Sequence, residues 1–507
     1  MFDFLPTFVY VLPFILLVYV SSRLVSSRAA RKTIEQHGCE PPPSYPQAKE
    51  SELVKSRTEA TKNGSLMDLY MEHFNLYGKT WEEHFLGAKI INTMEARNFQ
   101  QVTALSFQDW GKASTTHSTP FFGKGIFFMN GVEWKHAREL VRPTFSKTEV
   151  SDVEIIGKHA DRLIDMIPRD GSTIDLQLPL RKLVFLDTAT EFLMGQSIDS
   201  QLAGDPNNSA KILAAFDASL AGVGKRRLLS RFKRFMHNFD KSWKEACGVV
   251  HSYIDVHVAR ALKETEKSES KAGATDADTK KPTRYILLLE MAKQIRDPIA
   301  LRFQILNVFI PARDTTAVML SNTLFHLARN PDIWTQLRND SLALGDRPLT
   351  FEVLKSLQLF KYVLFETLRY QGPSGRIYRT ATRDTVLPTG GGPSGTSPIY
   401  VEKGTVVALN LWGLHHDEDI WGQDVNEFKP QRWFEPKKQF QWEFVPFLGG
   451  PRICPAQQQV LTQSIYLLVR LTREFTMIEN RDPVKEYIGR VTALTESKNG
   501  VKVAFRV

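Results

Sequence analysis

Hydrophobic positions outline the chain before any chemistry does. Residues 4–20 are almost wholly apolar. At ~1.5 Å per residue they would make a helix of roughly 25 Å, long enough to cross a bilayer core. Arg23, Arg28, Arg31 and Lys32 follow the run, and only Asp3 precedes it. A cleaved signal peptide carries its positive charge first, so the pattern predicts an uncleaved anchor with the rest of the chain in the cytosol. Glu40-Pro41-Pro42-Pro43-Ser44-Tyr45-Pro46 predicts a stiff, extended spacer. Three parts result: a transmembrane anchor over 1–22, a basic and proline-rich linker over 23–50, and a large body over 51–507.

Within the body, apolar residues recur mainly at helical spacing from about 50 to 260, as in 210–220 and 243–258. The stretch 225–235 interleaves basic and apolar residues and suits either a membrane surface or a solvated helix face. Residues 264–281 carry few apolar side chains and read as a surface loop. Helical patterning resumes from 284 to about 369, with breaks near Asn330-Pro331 and Arg347-Pro348. Short β-like runs follow at 385–387, 398–401 and 405–409 around a glycine-rich turn at 390–395, and again at 491–494 and 501–505. The pattern predicts a mainly α chain with small β-sheets, without βαβ units or internal repeats.

Charge and cysteine usage narrow the partners. Among 507 residues, 65 Lys and Arg against 56 Asp and Glu leave +9, which fits an anionic membrane surface or an acidic protein partner. No nucleic-acid-binding motif occurs, so nucleic acid is not expected as a partner. The three widely spaced cysteines, Cys39, Cys247 and Cys454, make neither a disulfide framework nor a Cys-rich metal cage and point to a reducing compartment.

Cys454 has the most telling surroundings. It lies in Phe447-Leu448-Gly449-Gly450-Pro451-Arg452-Ile453-Cys454-Pro455-Ala456. Glycines let a backbone turn pass close to a large flat ligand, and an arginine with local N–H groups favours the thiolate that binds metal. As axial ligand of a haem iron, a thiolate favours O–O cleavage. An inert buried thiol is the alternative, and it is the reading for Cys39 and Cys247. Four other features bear on the choice. Asp314 and Thr315 place a carboxylate and a hydroxyl inside an apolar helical stretch, where they serve either function or local bonding to the preceding turn and a salt bridge. Glu366 and Arg369 share one helix face, and Arg432 follows a turn from which it can dock on that pair. Trp134, Arg138 and Arg379 add planar and cationic groups of the kind that clamp haem propionates.

Together and in this order, these features resemble the cytochrome P450 family across nearly the whole chain. The resemblance is closest to the membrane-bound fungal group that hydroxylates n-alkanes and fatty acids. It is carried by Gly131-Val132-Glu133-Trp134-Lys135-His136-Ala137-Arg138, by Ala381-Thr382-Arg383-Asp384-Thr385 with Gly390-Gly391-Gly392, and by Trp421-Gly422-Gln423-Asp424 leading into Phe428-Lys429-Pro430-Gln431-Arg432-Trp433. It implies a P450 fold preceded by a transmembrane helix, with 51–507 as the catalytic domain in the cytosol and a single-pass anchor in the endoplasmic reticulum membrane. It implies haem b, with Cys454 as metal ligand, Phe447 shielding the sulfur, and Trp134, Arg138, Arg379 and Arg452 on the propionates. Glu366, Arg369 and Arg432 would lock the fold, and Asp314 and Thr315 would relay protons. Electrons would come from NADPH-cytochrome P450 reductase, with cytochrome b5 as a second donor. The lipophilic substrate would be a fungal secondary-metabolite intermediate or a fatty acid or alkane, held in an apolar cavity lined by Trp110, Phe121, Phe122, Phe127 and Phe128. The alternatives are an O2-independent isomerase or dehydratase and a non-enzymatic haem carrier.

Two departures from the family pattern stand out. Pro311-Ala312 replaces the usual small residue and glycine, and Pro311 is expected to open the helix by freeing the Asn307 carbonyl. In the cysteine loop Ala456 stands where glycine is usual, and Pro455 removes the N–H next to the ligand.

Overall fold

The computed structural model describes residues 27–507, apart from 113–118, 147–152, 182–184, 206, 228–230, 272–284, 435–439 and 493. The expected anchor at 4–20 lies outside the described residues. Among these no helix is long and apolar enough to cross a membrane.

The body is mainly helical with small sheets, as the pattern predicts. Its longest helices are Lys241–Lys271, Pro298–Leu327, Ser209–Arg227 and Gln457–Glu474. The Pro298–Leu327 helix is exposed at its start but mostly buried from Gln304 onward, where it runs between two cores. Its first half, with Leu301, Ile305, Leu306 and Phe309, joins one core with Phe121, Phe216, Trp243 and Leu287. Its second half, from Ala317 to Leu327, joins another with Trp334, Phe360, Leu364 and Leu468. Pro311, Asp314, Thr315 and Thr316 fall between the two cores.

The described strands are β1 (Thr80–Phe85), β2 (Ala88–Thr93), β3 (Trp110–Gly111), β4 (Ile174–Asp175), β5 (Arg376–Ala381), β6 (Thr385–Gly391), β7 (Ser397–Val401), β8 (Val406–Asn410), β9 (Met477–Asn480), β10 (Gly489–Val491), β11 (Thr495–Ser497) and β12 (Lys502–Arg506). The largest sheet runs β1-β2-β8-β5-β3. In it β2 pairs with β8 in parallel, Ile90 beside Val406, and the other pairings are antiparallel. It covers a third core, around Trp81, Phe99, Leu387 and Leu409.

Several elements differ from the sequence pattern. β1 and β2 form a hairpin in a region read as helical. Leu86 (φ 52°) and Gly87 (φ 76°) make its two-residue turn with both residues left-handed, the geometry that matches strand twist. The stretch 264–271 continues the Lys241–Lys271 helix instead of starting a loop. Ion pairs Arg260–Glu264 (3.9 Å) and Arg296–Glu269 support this polar end where apolar burial runs out. β6 runs through Gly391, so the turn to β7 starts later than the glycines suggest. The proline-rich stretch lies against the body and is not a free spacer: Glu40 N–H donates to the Pro398 carbonyl (2.9 Å).

Two buried ionic knots tie distant segments. Glu366 is fully buried and accepts from Arg369 Nη2 (2.8 Å) and Nε (3.1 Å), Arg432 Nε (2.9 Å), Lys429 N–H (3.0 Å) and Trp433 Nε1 (3.0 Å). The expected Glu366–Arg369–Arg432 cluster therefore forms. The second knot has no counterpart in the sequence reading. Buried Glu83 on β1 lies between Arg57 (2.5 Å) and Arg376 (3.9 Å), and Arg376 stacks over Tyr70 at 4.2 Å.

Candidate active site

The cysteine loop follows Trp442 and ends where the Gln457–Glu474 helix starts. Cys454 N–H donates to the Phe447 carbonyl (3.0 Å), closing the turn that presents the sulfur. Burial pushes the thiol up, and the Ala456 N–H and the Arg138 charge oppose that push. The sulfur also faces the N-terminal end of an 18-residue helix, which favours negative charge. Pro455 gives no N–H, but Ala456 supplies one. The glycines also fit the loop against the body. A Cβ on Gly450 (φ 67°) would overlap the Thr103 carbonyl, and one on Gly449 would overlap Trp442. Their smallness admits the loop against the protein's own backbone and side chains.

Beside this loop four cations converge. Arg452 stacks on Trp134 (4.4 Å) and donates to the Met129 carbonyl (2.6 Å) and Asn130 Oδ1 (3.2 Å). Arg138 Nη2 donates to the Ile453 carbonyl (2.8 Å). Arg379 on β5 is 4% exposed and donates to its neighbour's carbonyl at Tyr378 (2.9 Å). The fourth is Lys112, whose N–H donates to Asn130 Oδ1 (2.9 Å). No carboxylate among the described residues pairs with any of the four. Burial, with Arg379 and Arg452 close by, pulls the Lys112 ammonium down to about 7. Burial takes Arg379 to about 10, and burial with Arg379 and Arg138 does the same to Arg452. Such a ring is costly without an anion, and a planar ligand with two carboxylates next to a thiolate-bound iron fits it. Lys112 is the residue that sequence reading missed. A single lysine after Trp110-Gly111 carries no pattern, and only the β3–β5 pairing brings it to Arg379.

The ring gives a pH-dependent expectation. A carboxylate partner restores the Lys112 charge, so binding takes up a proton between about 7 and the ordinary 10.5. Haem affinity should therefore fall as pH rises through that window, by at most roughly tenfold per unit. Transfer of haem to a scavenger protein, timed at pH 7 and 9.5, checks this; Lys112→Met should flatten the slope.

Across from the cysteine loop, Pro311, Ala312 and Thr315 are half-buried on one face of a helix otherwise buried on either side, so they border open space. The helix stays continuous through Pro311. Thr315 Oγ1 donates to the Pro311 carbonyl (2.9 Å). Asp314 is 7% exposed and faces Arg181 Nε at 3.5 Å. Arg181 also reaches Asp217 (2.9 Å) and Glu496 (3.9 Å), and these carboxylates hold its guanidinium charged against the desolvation of burial. Thr315 thus makes the local bond to the preceding turn that its sequence context allows, whereas the ion-pair partner of Asp314 comes from a distant part of the chain.

The aromatic stretch divides. Trp110 belongs to the sheet core, its Nε1 donating to Ser106 Oγ (2.9 Å). Phe121 is fully buried against Phe216 and His251, and Phe127 is exposed beside Lys112. Only Phe122 and Phe128, in contact at 5.0 Å, stand half-buried together. Trp110 and Phe121 are taken up by β3 pairing and helix packing, so of the five expected lining residues only Phe122 and Phe128 keep half-buried faces side by side.

Comparison with known proteins agrees with this geometry. The cytochrome P450 family model matches residues 52–503. Cytochrome P450 monooxygenase iccC of Talaromyces variabilis is 36% identical over 494 residues, 95% of both chains. Cytochrome P450 monooxygenase iliC of Neonectria sp. is 35% identical over 498 residues, 97% of this chain and 96% of its own. Cytochrome P450 52A5 of Candida maltosa is 35% identical over 449 residues, 84% of this chain and 83% of its own. With the family's pattern matched nearly from end to end, the chain belongs to the cytochrome P450 family of haem-thiolate monooxygenases.

Proposed function

We propose that this chain is a membrane-anchored monooxygenase that hydroxylates a lipophilic substrate, either a fatty acid or alkane or a secondary-metabolite intermediate. Dioxygen is the oxidant, and NADPH-cytochrome P450 reductase supplies electrons, with cytochrome b5 as a second donor. The observation that carries this reading is the ring of buried Arg379 and half-buried Lys112, Arg138 and Arg452 beside Cys454, which suits haem b. When bound, that haem supplies activation of dioxygen, which side chains cannot provide. Cys454 would give the axial thiolate, Phe447 would shield the sulfur, and the four cations with Trp134 would fix the carboxylates.

On the opposite side, Asp314 and Thr315 would deliver protons. Arg181 Nε lies 3.5 Å from Asp314 Oδ1, and Thr315 Oγ1 donates to the Pro311 carbonyl. Rotation of each away from its partner would let the Asp314 carboxylate take a proton from water and hand it to Thr315 Oγ1 as that hydroxyl releases its own proton into the cavity. An isomerase or a carrier has no use for this pair. Pro311 lacks the N–H that would otherwise hold the Asn307 carbonyl, leaving that oxygen for a water that keeps the relay wet. Pro311→Ala should therefore raise peroxide release per NADPH consumed; unchanged coupling would sink this part.

Residues 1–22 would anchor the chain in the endoplasmic reticulum membrane with the body in the cytosol. Exposed Phe235, Met236 and Phe239 at the end of the basic stretch support contact with lipid. The excess of +9 suits an acidic reductase face. Two measurements test the reading. The reduced protein under carbon monoxide should give the spectrum of a thiolate-ligated haem, and with reductase present its NADPH consumption should rise with a lipophilic substrate. Consumption that ignores every substrate in a panel of fatty acids, alkanes and polyketides would favour a carrier or isomerase.

A further inference from the structure

We infer that Gly391 and Gly392 form a socket for the chain's own proline-rich strap, residues 39–46, so that the strap is held to the body as one piece. The contacts are main-chain and reciprocal. Glu40 N–H donates to the Pro398 carbonyl (2.9 Å) and Gly392 N–H donates to the Pro41 carbonyl (3.0 Å). Ser397 Oγ donates to Glu40 Oε1 (3.0 Å). Beyond buried Pro42, the strap crosses to β1, where Glu82 N–H donates to the Pro43 carbonyl (2.8 Å) and Tyr45 N–H donates to the Glu82 carbonyl (2.8 Å). The Tyr45 ring then packs on His73 (5.5 Å) and Tyr77 (5.8 Å). Prolines have no N–H to satisfy, so the strap needs little from the body and can offer its carbonyls to it.

The glycines make this fit possible. A Cβ on Gly391 would overlap the Glu40 carbonyl and stand 2.9 Å from the Pro398 carbonyl, and one on Gly392 (φ 70°) would overlap the Glu40 carboxylate. Gly395, in the same turn, has nothing within 4 Å. Upstream, a helix over residues 27–37 ends at Gly38 (φ 61°), and Cys39 N–H donates back to Ile34 (2.9 Å), so no free residue separates helix from strap. The strap precedes the span matched by the family model, and the inference concerns the body's own surface, so it stands whether or not residues 1–22 enter a membrane.

Amide hydrogen exchange on the full-length protein tests it. In the wild type, Glu40, Tyr45 and Glu82 should be protected as well as the β6–β7 amides; exchange at free-peptide rates in the strap would overturn the inference without any variant. Gly391→Ala and Gly392→Ala should raise exchange at Glu40 and Tyr45 roughly tenfold or more, whereas Gly395→Ala should leave both protected. Equal loss of protection in Gly395→Ala would mean that the hairpin as a whole, and not the socket, holds the strap, and that also overturns it.

Discussion

Replacing Glu366 with alanine is expected to cost about 3–5 kcal/mol of folding stability, a large part of the ~5–15 kcal/mol that holds a typical domain together. The carboxylate is fully buried and accepts five hydrogen bonds from two segments: Arg369 on its own helix, and Lys429, Arg432 and Trp433 beyond the turn. Without it, Arg369 is left in the interior with no anion, and Arg432 keeps only Asp424 (3.1 Å). Arg369 would keep the carbonyls of His415 (3.0 Å) and Val425 (2.9 Å), so it cannot swing out to water. Urea unfolding of the purified variant, read as a lower midpoint, checks the size. The knot also has an acid limb. Lys429, against some desolvation and helped by Arg432, holds the Asp424 carboxyl down at about 2. A carboxyl depressed in the folded state stabilises fully above its ordinary 3.8, and that contribution is lost as pH falls toward 2. Asp424→Asn should flatten the acid-unfolding curve in that interval.

Replacing Cys454 with serine should separate chemistry from structure. The turn survives, because Cys454 N–H to Phe447 and Arg138 to the Ile453 carbonyl do not involve the sulfur. Stability should change by no more than about 1 kcal/mol, and the cation ring should still retain haem. Turnover should drop to background. A serine hydroxyl gives up its proton far less readily than a thiol, and its hard oxygen is a poor electron donor to iron. The measurement is a pair of spectra with a turnover assay: haem absorbance retained, the thiolate signature under carbon monoxide lost, product absent. Product formation at the wild-type rate would remove Cys454 from the site.

The sequence carried the parts of this site that depend on local order. Cys454 and its flanks are contiguous, Glu366 and Arg369 sit one turn apart, and Trp134 and Arg138 share a helix face. Residues that matter only through long-range pairing were not legible. Lys112 acquires its neighbours through β3 and β5, and Glu83 acquires Arg376 across the sheet. The β1–β2 hairpin was hidden because its turn is Leu86-Gly87, where leucine in a left-handed conformation gives no composition signal. Residues 264–271 misled in the other direction. Their charges, usual in loops, are stabilised on the helix by pairing. The glycine triplet was visible from the start, but what it accommodates is an early part of the chain that no local pattern connects to it.

The parallel pairing of β2 with β8 also sets a clock for biosynthesis. Lys79, just before β1, meets Asp417 from 338 residues later in the chain, and β2 has no partner on that side until β8 has been made. At ~5–20 residues per second, the hairpin would wait roughly 15–70 s on the ribosome with one edge open. That edge carries Ile90 and Ile91, a template for pairing with another nascent chain. Slower synthesis therefore lengthens the exposure, and a chaperone that covers strand edges during those seconds should raise the yield of folded protein more than cooling the culture.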